Sequence, residues 1–414
     1  MARGCGGWIF LPAELIKEIS DRLPADVDQI HIHQVCSHWR ASTAPLAACR
    51  PWIVAGHDRH RDPFSVVNPI GDHSFWLPRG GRRMHSLLSR TPSGFPYCCG
   101  TPRGWLALTD SLPSPTRFIL WEPLSKAEIP LPTLTTVAQV FLSGDPLTSP
   151  PAGWMAIASQ QNPGAQIGQR LFFWRPGDAA WTMQLEYPTS RIEGAAFHQG
   201  RFYISTMSMS LDIFDLQQHP PKRLRTVCLF PPLQARYRRF PGWPRPYVVA
   251  CNNHMLLVMV YRRGQGNVVV LAEVYSPDWA AQRLDLQEKV TDLGDYSLFL
   301  GRGDTVALSA KEFPAIRRNC VYFVEHDTSK HEQWAVVFDL GSNALERIPH
   351  PEEQREGGSK STGWLAYSWS VPEGPSSRSR DLCEAIKYIC MSVSCLYDNS
   401  MEKWRYFIIC HTLL

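Results

Sequence analysis

The 414-residue sequence has few charged residues, since Asp, Glu, Lys and Arg make up only 19% of it, against about 25% in an average globular protein. Its net charge of +4 does not by itself indicate a nucleic-acid partner or an acidic membrane surface. The 34 prolines and 28 glycines amount to about 15% of the chain, below the roughly 25–30% that is typical of disorder. A folded chain that binds neither nucleic acid nor membrane is therefore expected.

The sequence also lacks long apolar runs and paired cysteine motifs. Its longest fully apolar run near a predicted strand, residues 255–261, is far shorter than the roughly 20 residues of a membrane-spanning helix. The first residues contain no apolar stretch typical of a signal peptide. The 12 cysteines include no Cys-x-x-Cys pair. These features favour a reducing location, cytoplasmic or nuclear.

Catalytic signatures are absent as well. The sequence contains no Gly-x-Ser-x-Gly, no phosphate-binding loop and no His-Glu-x-x-His, the short motifs that mark common hydrolase, nucleotide and zinc sites. His198 precedes a predicted turn and is interpreted as structural. The C-terminal cysteines match no standard zinc spacing. We therefore predict no catalytic residues, no metal site and no cofactor.

Residues 8–49 differ from the remainder in having a helical period. Apolar residues recur at Leu11, Leu15 and Ile19, a spacing that predicts an amphipathic helix. Pro12 suits the first helical turn and Pro24 ends the helix. A second helical pattern includes Val35 and Trp39. Helices this short cannot form a core alone, so they pack either on a partner or, alternatively, as a cap on the C-terminal domain.

The sequence Leu11-Pro12-x-Glu14-Leu15-Ile16-x-x-Ile19-x-x-Arg22-Leu23, followed by Val35-Cys36-x-x-Trp39-Arg40, resembles an F-box. The resemblance implies binding to a Skp-type adaptor and, through it, to a cullin–RING ubiquitin ligase. His31 and His33 depart from the family pattern, which more often has basic or apolar residues there. The residues expected to contact the adaptor are Leu11, Pro12, Leu15, Ile16, Ile19, Leu23, Val35 and Trp39.

From residue 50 onward, short strand patterns repeat. An apolar strand that ends in an aromatic residue recurs at residues 118–121, 171–174, 211–214, 272–275 and 335–338, with a weaker copy at 64–69. Each strong copy follows a partner strand, and these partner strands begin about 50 residues apart, with one longer interval. The longer interval holds an extra predicted hairpin, 298–301 with 306–308. This period predicts a mainly β fold, a kelch-like β-propeller of about six blades with aromatic side chains packed between them.

The repeated region also resembles a known family. Leu293-Gly294-Asp295-x-x-Leu298-Phe299-Leu300-Gly301 and Asn319-Cys320-Val321-Tyr322-Phe323 are the most specific stretches. They resemble the domain of unknown function 295 of plant F-box proteins, over roughly residues 60–350. The resemblance implies a kelch-like propeller and no known substrate.

These patterns divide the chain into five parts. They are an N-terminal tail (1–7), the F-box helical module (8–49), the propeller (50–350), a linker (351–381) and an atypical C-terminal extension (382–414). The linker is predicted from its Glu, Gly, Ser and Pro content.

A basic stretch is the candidate for target binding. No acidic residue occurs between Asp215 and Glu273, while nine Lys and Arg residues do. The stretch is either a solvated loop or a contact site for an acidic partner. Within it, the residues most expected to contact a target are Arg236, Tyr237, Arg238, Arg239 and Trp243, because Arg and aromatic residues are enriched in binding hot spots.

The sequence thus predicts the substrate-recognition subunit of an SCF-type (Skp–cullin–F-box) ubiquitin ligase, whose propeller recruits an unknown target protein. Two alternatives stay open. The chain is an F-box scaffold without ligase output, or, less in keeping with its residues, a propeller enzyme with a site at its central channel.

Overall fold

The structure is a computed structural model. It describes residues 10–23, 32–33, 35–43, 51–57, 73–76, 92–123, 125–150, 153–162, 168–218, 220–229, 244–263, 268–281, 288–301, 305–313, 316–324, 333–349 and 364–370. The chain divides into two compact units, one of residues 1–50 with 373–414 and the other of residues 51–372.

The described residues of the first unit include two short helices, α1 (Ala13–Arg22) and α2 (Ser37–Ala41). Ile32, His33 and Val35 are helical as well. Pro12 occupies the N-cap of α1, and Glu14 lies in its first turn, where a negative charge complements the helix dipole. The Cys36 thiol caps α2 by accepting a hydrogen bond from the Trp39 amide at 3.5 Å. Helices thus occur in both predicted helical stretches, but α2 covers only the last part of the second. A side-chain cap is present at α2, whereas Pro12 supplies none to α1.

The second unit is built almost entirely of strands. They are β1 (Trp52–His57), β2 (His73–Trp76), β3 (Tyr97–Cys98), β4 (Leu106–Thr109), β5 (Phe118–Trp121), β6 (Glu128–Pro130), β7 (Val137–Leu142), β8 (Ala156–Gln161), β9 (Gln169–Trp174), β10 (Thr182–Tyr187), β11 (Ile192–His198), β12 (Arg201–Thr206), β13 (Ser210–Asp215), β14 (Lys222–Cys228), β15 (Arg245–Cys251), β16 (His254–Arg263), β17 (Val268–Tyr275), β18 (Tyr296–Leu300), β19 (Val306–Ser309), β20 (Cys320–Val324), β21 (Gln333–Asp339), β22 (Leu345–Pro349) and β23 (Trp364–Ser370). A 3-10 turn, Pro102–Gly104, precedes β4.

Five sheets follow one another along the chain and form a five-bladed propeller. The first three blades are β3–β6, β7–β10 and β11–β14, the fourth is β15–β17, and the fifth is β18–β22. Neighbouring strands pair antiparallel, except that β18 and β20 run parallel with β19 on the other edge of β18. The predicted central strand pairs are confirmed, because β4–β5, β8–β9, β12–β13, β16–β17 and β20–β21 are the antiparallel partners that the repeat indicated. The weaker copy at 64–69 lies outside the described residues.

A sixth sheet joins the two ends of the propeller unit. In it β1 pairs with β2 and with β23, so that Ile53 lies opposite Trp369. The Thr101 hydroxyl lies 2.7 Å from Ser368 Oγ, which links the sheet to the first blade. The Trp369 indole donates to the Leu300 carbonyl at 3.1 Å and links it to the fifth. This closing sheet therefore connects the beginning and the end of the series of blades.

The position of β23 corrects the domain boundaries. Residues 364–370 fall inside the stretch predicted to be a linker, but they form a strand. Residues 351–381 are polar on average, but they include one short apolar and aromatic segment, Trp364-Leu365-Ala366-Tyr367-Ser368-Trp369. A segment of this kind favours a strand when an unpaired edge, here that of β1, is available.

Aromatic side chains pack between neighbouring blades, as the repeat predicted. Trp105 and Phe118 of the first blade share a buried cluster with Trp154 and Trp174 of the second. The Phe173 and Phe214 rings, from the second and third blades, have their centroids 5.4 Å apart. Such contacts bury large apolar areas, so the abundance of aromatic residues is explained by packing. Within the described part of the chain, no helix is both long enough and apolar enough to cross a membrane.

Candidate protein-binding site

The two helices of the first unit share a small apolar core. Ile16 and Leu23 pack with Ile32, Val35 and Trp39. Four of these side chains, Ile16, Ile32, Val35 and Trp39, are fully buried. Leu11, Ile19 and Cys36 are partly buried against the same cluster. The most buried positions of the predicted stripe thus hold the two helices together.

One hydrogen bond joins α2 to the residues just before α1, and another lies within the second helical segment. The His38 imidazole lies 2.8 Å from the Leu11 carbonyl oxygen through Nε2. His33 is buried and its Nε2 lies 3.0 Å from the Thr43 hydroxyl. The family departure at His33 is therefore accommodated inside the unit by a polar partner, whereas His31 lies outside the described residues.

The N-terminal end of α1 leaves apolar side chains exposed. Phe10 is 82% exposed, Pro12 is exposed and Leu15 is only partly buried. Phe10 was missed by the sequence reasoning, although an aromatic residue directly before Leu-Pro is visible in the sequence. We call Phe10, Pro12 and Leu15 the α1 face. An exposed apolar face at a helix end is a feature of partner-binding helices.

The eight residues expected to contact an adaptor therefore occupy two environments. Ile16, Leu23, Val35 and Trp39 are buried in the core of the first unit. Leu11, Pro12, Leu15 and Ile19 are exposed or partly buried. Apolar periodicity alone does not distinguish these environments, because a helix with a wide apolar stripe presents both a core-facing and a partner-facing side.

The residues expected to contact a target, Arg236, Tyr237, Arg238, Arg239 and Trp243, lie outside the described residues. They follow β14 and precede β15 in the sequence. β14 itself is described, and it carries the first part of the same basic stretch.

Buried carboxylates in the propeller accept hydrogen bonds from neighbouring side chains. The Glu273 carboxylate accepts hydrogen bonds from the hydroxyls of Tyr261 and Tyr275 at 2.7 and 2.6 Å, and pairs with Lys289. Burial opposes ionisation of Glu273, but the hydrogen bonds and the positive charge of Lys289 outweigh it and lower the pKa. The group is therefore a stably charged structural anion.

A second carboxylate links two blades. Asp212 of β13 accepts a hydrogen bond from the Tyr187 hydroxyl of β10 at 2.8 Å and another from Thr226. Burial of the Tyr187 phenol, together with the negative charge of Asp212, raises its pKa. Tyr187 therefore stays neutral and acts as a hydrogen-bond donor between the second and third blades.

The described residues contain no cluster of three or more His, Cys, Asp or Glu side chains placed to hold a metal ion. Burial raises the pKa of Cys251 to about 11, so this thiol is protonated near neutral pH and lacks the thiolate of a reactive cysteine.

Residues 75–339, well over half of the chain, match the model of a family described as KIB1-4 beta-propeller. The chain belongs to this family. The match begins near β2 and ends with β21, so it spans nearly all of the five blades. The α1 face lies outside the matched region.

One curated relative of this chain is named as an F-box protein. The chain is 24% identical over 272 residues to "F-box protein At1g49360" of Arabidopsis thaliana, which covers 61% of the chain and 52% of the relative. The chain thus spans about half the length of this relative. Together with the family, the relative supports an F-box-type β-propeller protein of plants.

Three solved structures with some likeness are distant from this chain. The β-propeller domain of Cps50 (Swd1) from Myceliophteria thermophila is 11% identical, with a TM-score of 0.37 over 77% of this chain and 99% of that one. BBS1N, solved in complex with ARL6DN, is 11% identical with a TM-score of 0.34 over 69% and 74%. Raptor of Chaetomium thermophilum is 10% identical with a TM-score of 0.32 over 70% and 22%. At such TM-scores the architecture is defined by the strand pairing of the chain itself.

Proposed function

We propose that the protein is the substrate-recognition subunit of an SCF-type ubiquitin ligase. In this proposal the first unit is the F-box module and binds a Skp-type adaptor, while the propeller holds a target protein. The α1 face carries the proposal, because an 82% exposed Phe10 beside Pro12 and Leu15 supplies an apolar surface to a partner. The name of the Arabidopsis relative supports the same assignment.

The proposed mechanism requires no catalytic group in this chain. A target held near a ubiquitin-loaded enzyme reacts as though the transfer were intramolecular, and this proximity supplies the rate increase. The buried carboxylates of the propeller agree with a structural role, since Glu273 and Asp212 are engaged by tyrosine and threonine hydroxyls. The expected location is cytoplasmic or nuclear, where such ligases operate.

The finer architecture is also part of the proposal. We infer that the closing sheet acts as a sixth blade, because it is bonded to the first blade through Thr101 and to the fifth through Trp369. We further infer a kelch-like propeller equivalent to the domain of unknown function 295. The support is that the resemblance, over roughly 60–350, and the family match, over 75–339, cover the same strands.

Adaptor binding tests the proposal directly. We expect Phe10→Asp with Leu15→Asp to reduce co-purification of a co-expressed Skp-type adaptor at least about tenfold, because two charges in an apolar interface cost several kcal/mol. Neither residue belongs to the buried core of the first unit, so the helices are expected to remain folded.

A matched control is Lys17→Gln with Ser37→Asp, which changes the net charge by the same two units at exposed positions of α1 and α2. The control variant should retain the adaptor. Equal adaptor recovery from the wild-type chain and the α1-face variant would refute the assignment of this unit as an F-box.

A further inference from the structure

The outer strand of the third blade carries an exposed basic surface. Strand order β11-β12-β13-β14 leaves β14 paired with β13 alone, and no other described strand pairs with its outer edge. Lys222, Arg223 and Leu224, at the start of this strand, are all exposed. We call Lys222, Arg223, Leu224 and Arg225 the basic edge.

A β-bulge places an apolar side chain within this edge. The pairing of β13 with β14 passes from Ile213–Arg225 to Phe214–Arg223, so Leu224 is the extra residue. Leu224 is 44% exposed and stands between two arginines. The basic edge therefore combines positive charge with a solvent-exposed aliphatic group.

The positive charge of the basic edge is only partly offset by nearby described carboxylates. Lys222 forms no ion pair with any described residue. The Arg223 guanidinium lies 3.8 Å from the Asp212 carboxylate, and the Arg223 side chain remains 48% exposed. That carboxylate is buried and already accepts hydrogen bonds from Tyr187 and Thr226. A second carboxylate, Asp215 of β13, lies opposite Lys222 and accepts hydrogen bonds from Gln217 and Gln218. No acidic residue follows along the chain until Glu273, so the start of β14 itself presents only cationic and aliphatic side chains.

Other outer strands differ in this respect. An exposed carboxylate is present on each of three others: Glu128 on β6, Glu186 on β10 and Glu346 on β22. The third blade thus has a charge pattern that the first, second and fifth blades do not share.

Protection against edge-to-edge aggregation is a competing explanation, since lysines and bulges commonly serve it. Charges and a bulge alone would achieve that protection. The exposed Leu224 works against it, because an apolar group on an edge favours association. The bulge also disfavours addition of a further strand, so a partner would contact the side chains of the edge rather than its backbone.

We propose that the basic edge binds an acidic segment of a partner protein, with carboxylates facing Lys222 and Arg223 and an apolar side chain covering Leu224. Opposite charges steer and orient such a complex, while burial of the leucine adds a short-range apolar contact. The inference rests on the proposed function only in naming this partner as the ligase target. The binding step itself requires no adaptor.

The test uses the full chain and a labelled heptapeptide in which six Asp and Glu residues surround one leucine. We expect Lys222→Glu with Leu224→Glu to weaken binding of this peptide at least about tenfold, measured by fluorescence anisotropy at low salt. The control, Arg347→Glu with Arg318→Gln on exposed positions of the fifth blade, lowers the net charge by the same three units and should change the affinity less than about twofold. A peptide with serine in place of leucine should bind several-fold more weakly.

Three results would overturn the inference: no binding of the acidic peptide, equal weakening by the control variant, or equally tight binding of oligothymidine or anionic vesicles at the same site. The last result would identify a general anion-binding surface. Adaptor co-purification is measured on the same preparations. Failed peptide binding with intact adaptor binding refutes the basic edge alone, whereas lost adaptor binding would count against the proposed function.

Discussion

Glu273 shows how single residues stabilise the fourth blade. Its carboxylate lies between two buried tyrosine hydroxyls and the Lys289 ammonium. Burial of a charge is costly unless hydrogen bonds and an opposite charge compensate for it. All three partners lie on or close to β16 and β17, so the cluster reinforces one strand pair.

The lowered pKa of Glu273 has a consequence for acid stability. A carboxyl group whose folded-state pKa is depressed contributes stability above its unfolded pKa, and that contribution disappears as the pH falls through the folded value. We expect Glu273→Gln to lower the free energy of unfolding by about 2 kcal/mol at neutral pH. The difference from the wild-type chain should shrink below the ordinary glutamate pKa of 4.5.

Urea unfolding at neutral pH and at about pH 4 measures this difference. Glu128→Gln is the control, because Glu128 is an exposed glutamate of β6, and it should change neither value appreciably. A deficit for Glu273→Gln that is as large in acid as at neutral pH would show that the charge of Glu273 is not what stabilises the blade.

At the residue scale, the sequence predicts which residues form the apolar stripe better than it predicts which of them are buried. The apolar spacing in α1 correctly marks Leu15 and Ile16 as members of one stripe, yet Ile16 is fully buried and Leu15 is not. Adjacent residues on a helix point about 100° apart, and only the placement of Trp39 and Val35 decides which of the two faces the core. Phe10 was overlooked because it precedes the periodic segment.

The strand pairs within the blades were predicted far more completely than the pairing of β1 with β23, which closes the ring of blades. Five central strand pairs and the extra hairpin β18–β19 follow from local apolar and turn patterns. The pairing of β1 with β23 joins segments about 300 residues apart, and local patterns carry no information about such a partner. The same limitation explains why 364–370 was predicted to be a linker.

The closing sheet depends on Trp369, whose ring packs against Phe299 at 5.2 Å between centroids and whose indole bonds to the Leu300 carbonyl. We expect Trp369→Ala to lower the free energy of unfolding by about 3–5 kcal/mol, as for other large buried aromatics. Urea unfolding followed by circular dichroism measures the change.

Met183→Ala is the matched control, because Met183 lies on an outer strand and is more than half exposed. It should cost less than about 1 kcal/mol. A similarly small loss for Trp369→Ala would indicate that the ring of blades does not depend on closure by β23.

At the scale of the whole molecule, the described part of the first unit contains helices and the second unit is a propeller, and each has its own core. The α1 face and the basic edge belong to different units. Two separate binding surfaces fit the proposed receptor, which would bind the ligase with one unit and a target with the other. Family membership accounts for the propeller, whereas the proposed ligase role rests on the exposed α1 face and on the name of the Arabidopsis relative.

Quantitative affinity purification from plant cells, with and without a proteasome inhibitor, tests the receptor claim most directly. The account predicts that the wild-type chain captures a Skp-type adaptor together with at least one protein that accumulates on inhibition. The same protein should accumulate without inhibitor when the Phe10→Asp, Leu15→Asp chain replaces the wild type, because that chain still binds the target but no longer reaches the ligase. Captured proteins whose amounts change under neither condition would contradict the account.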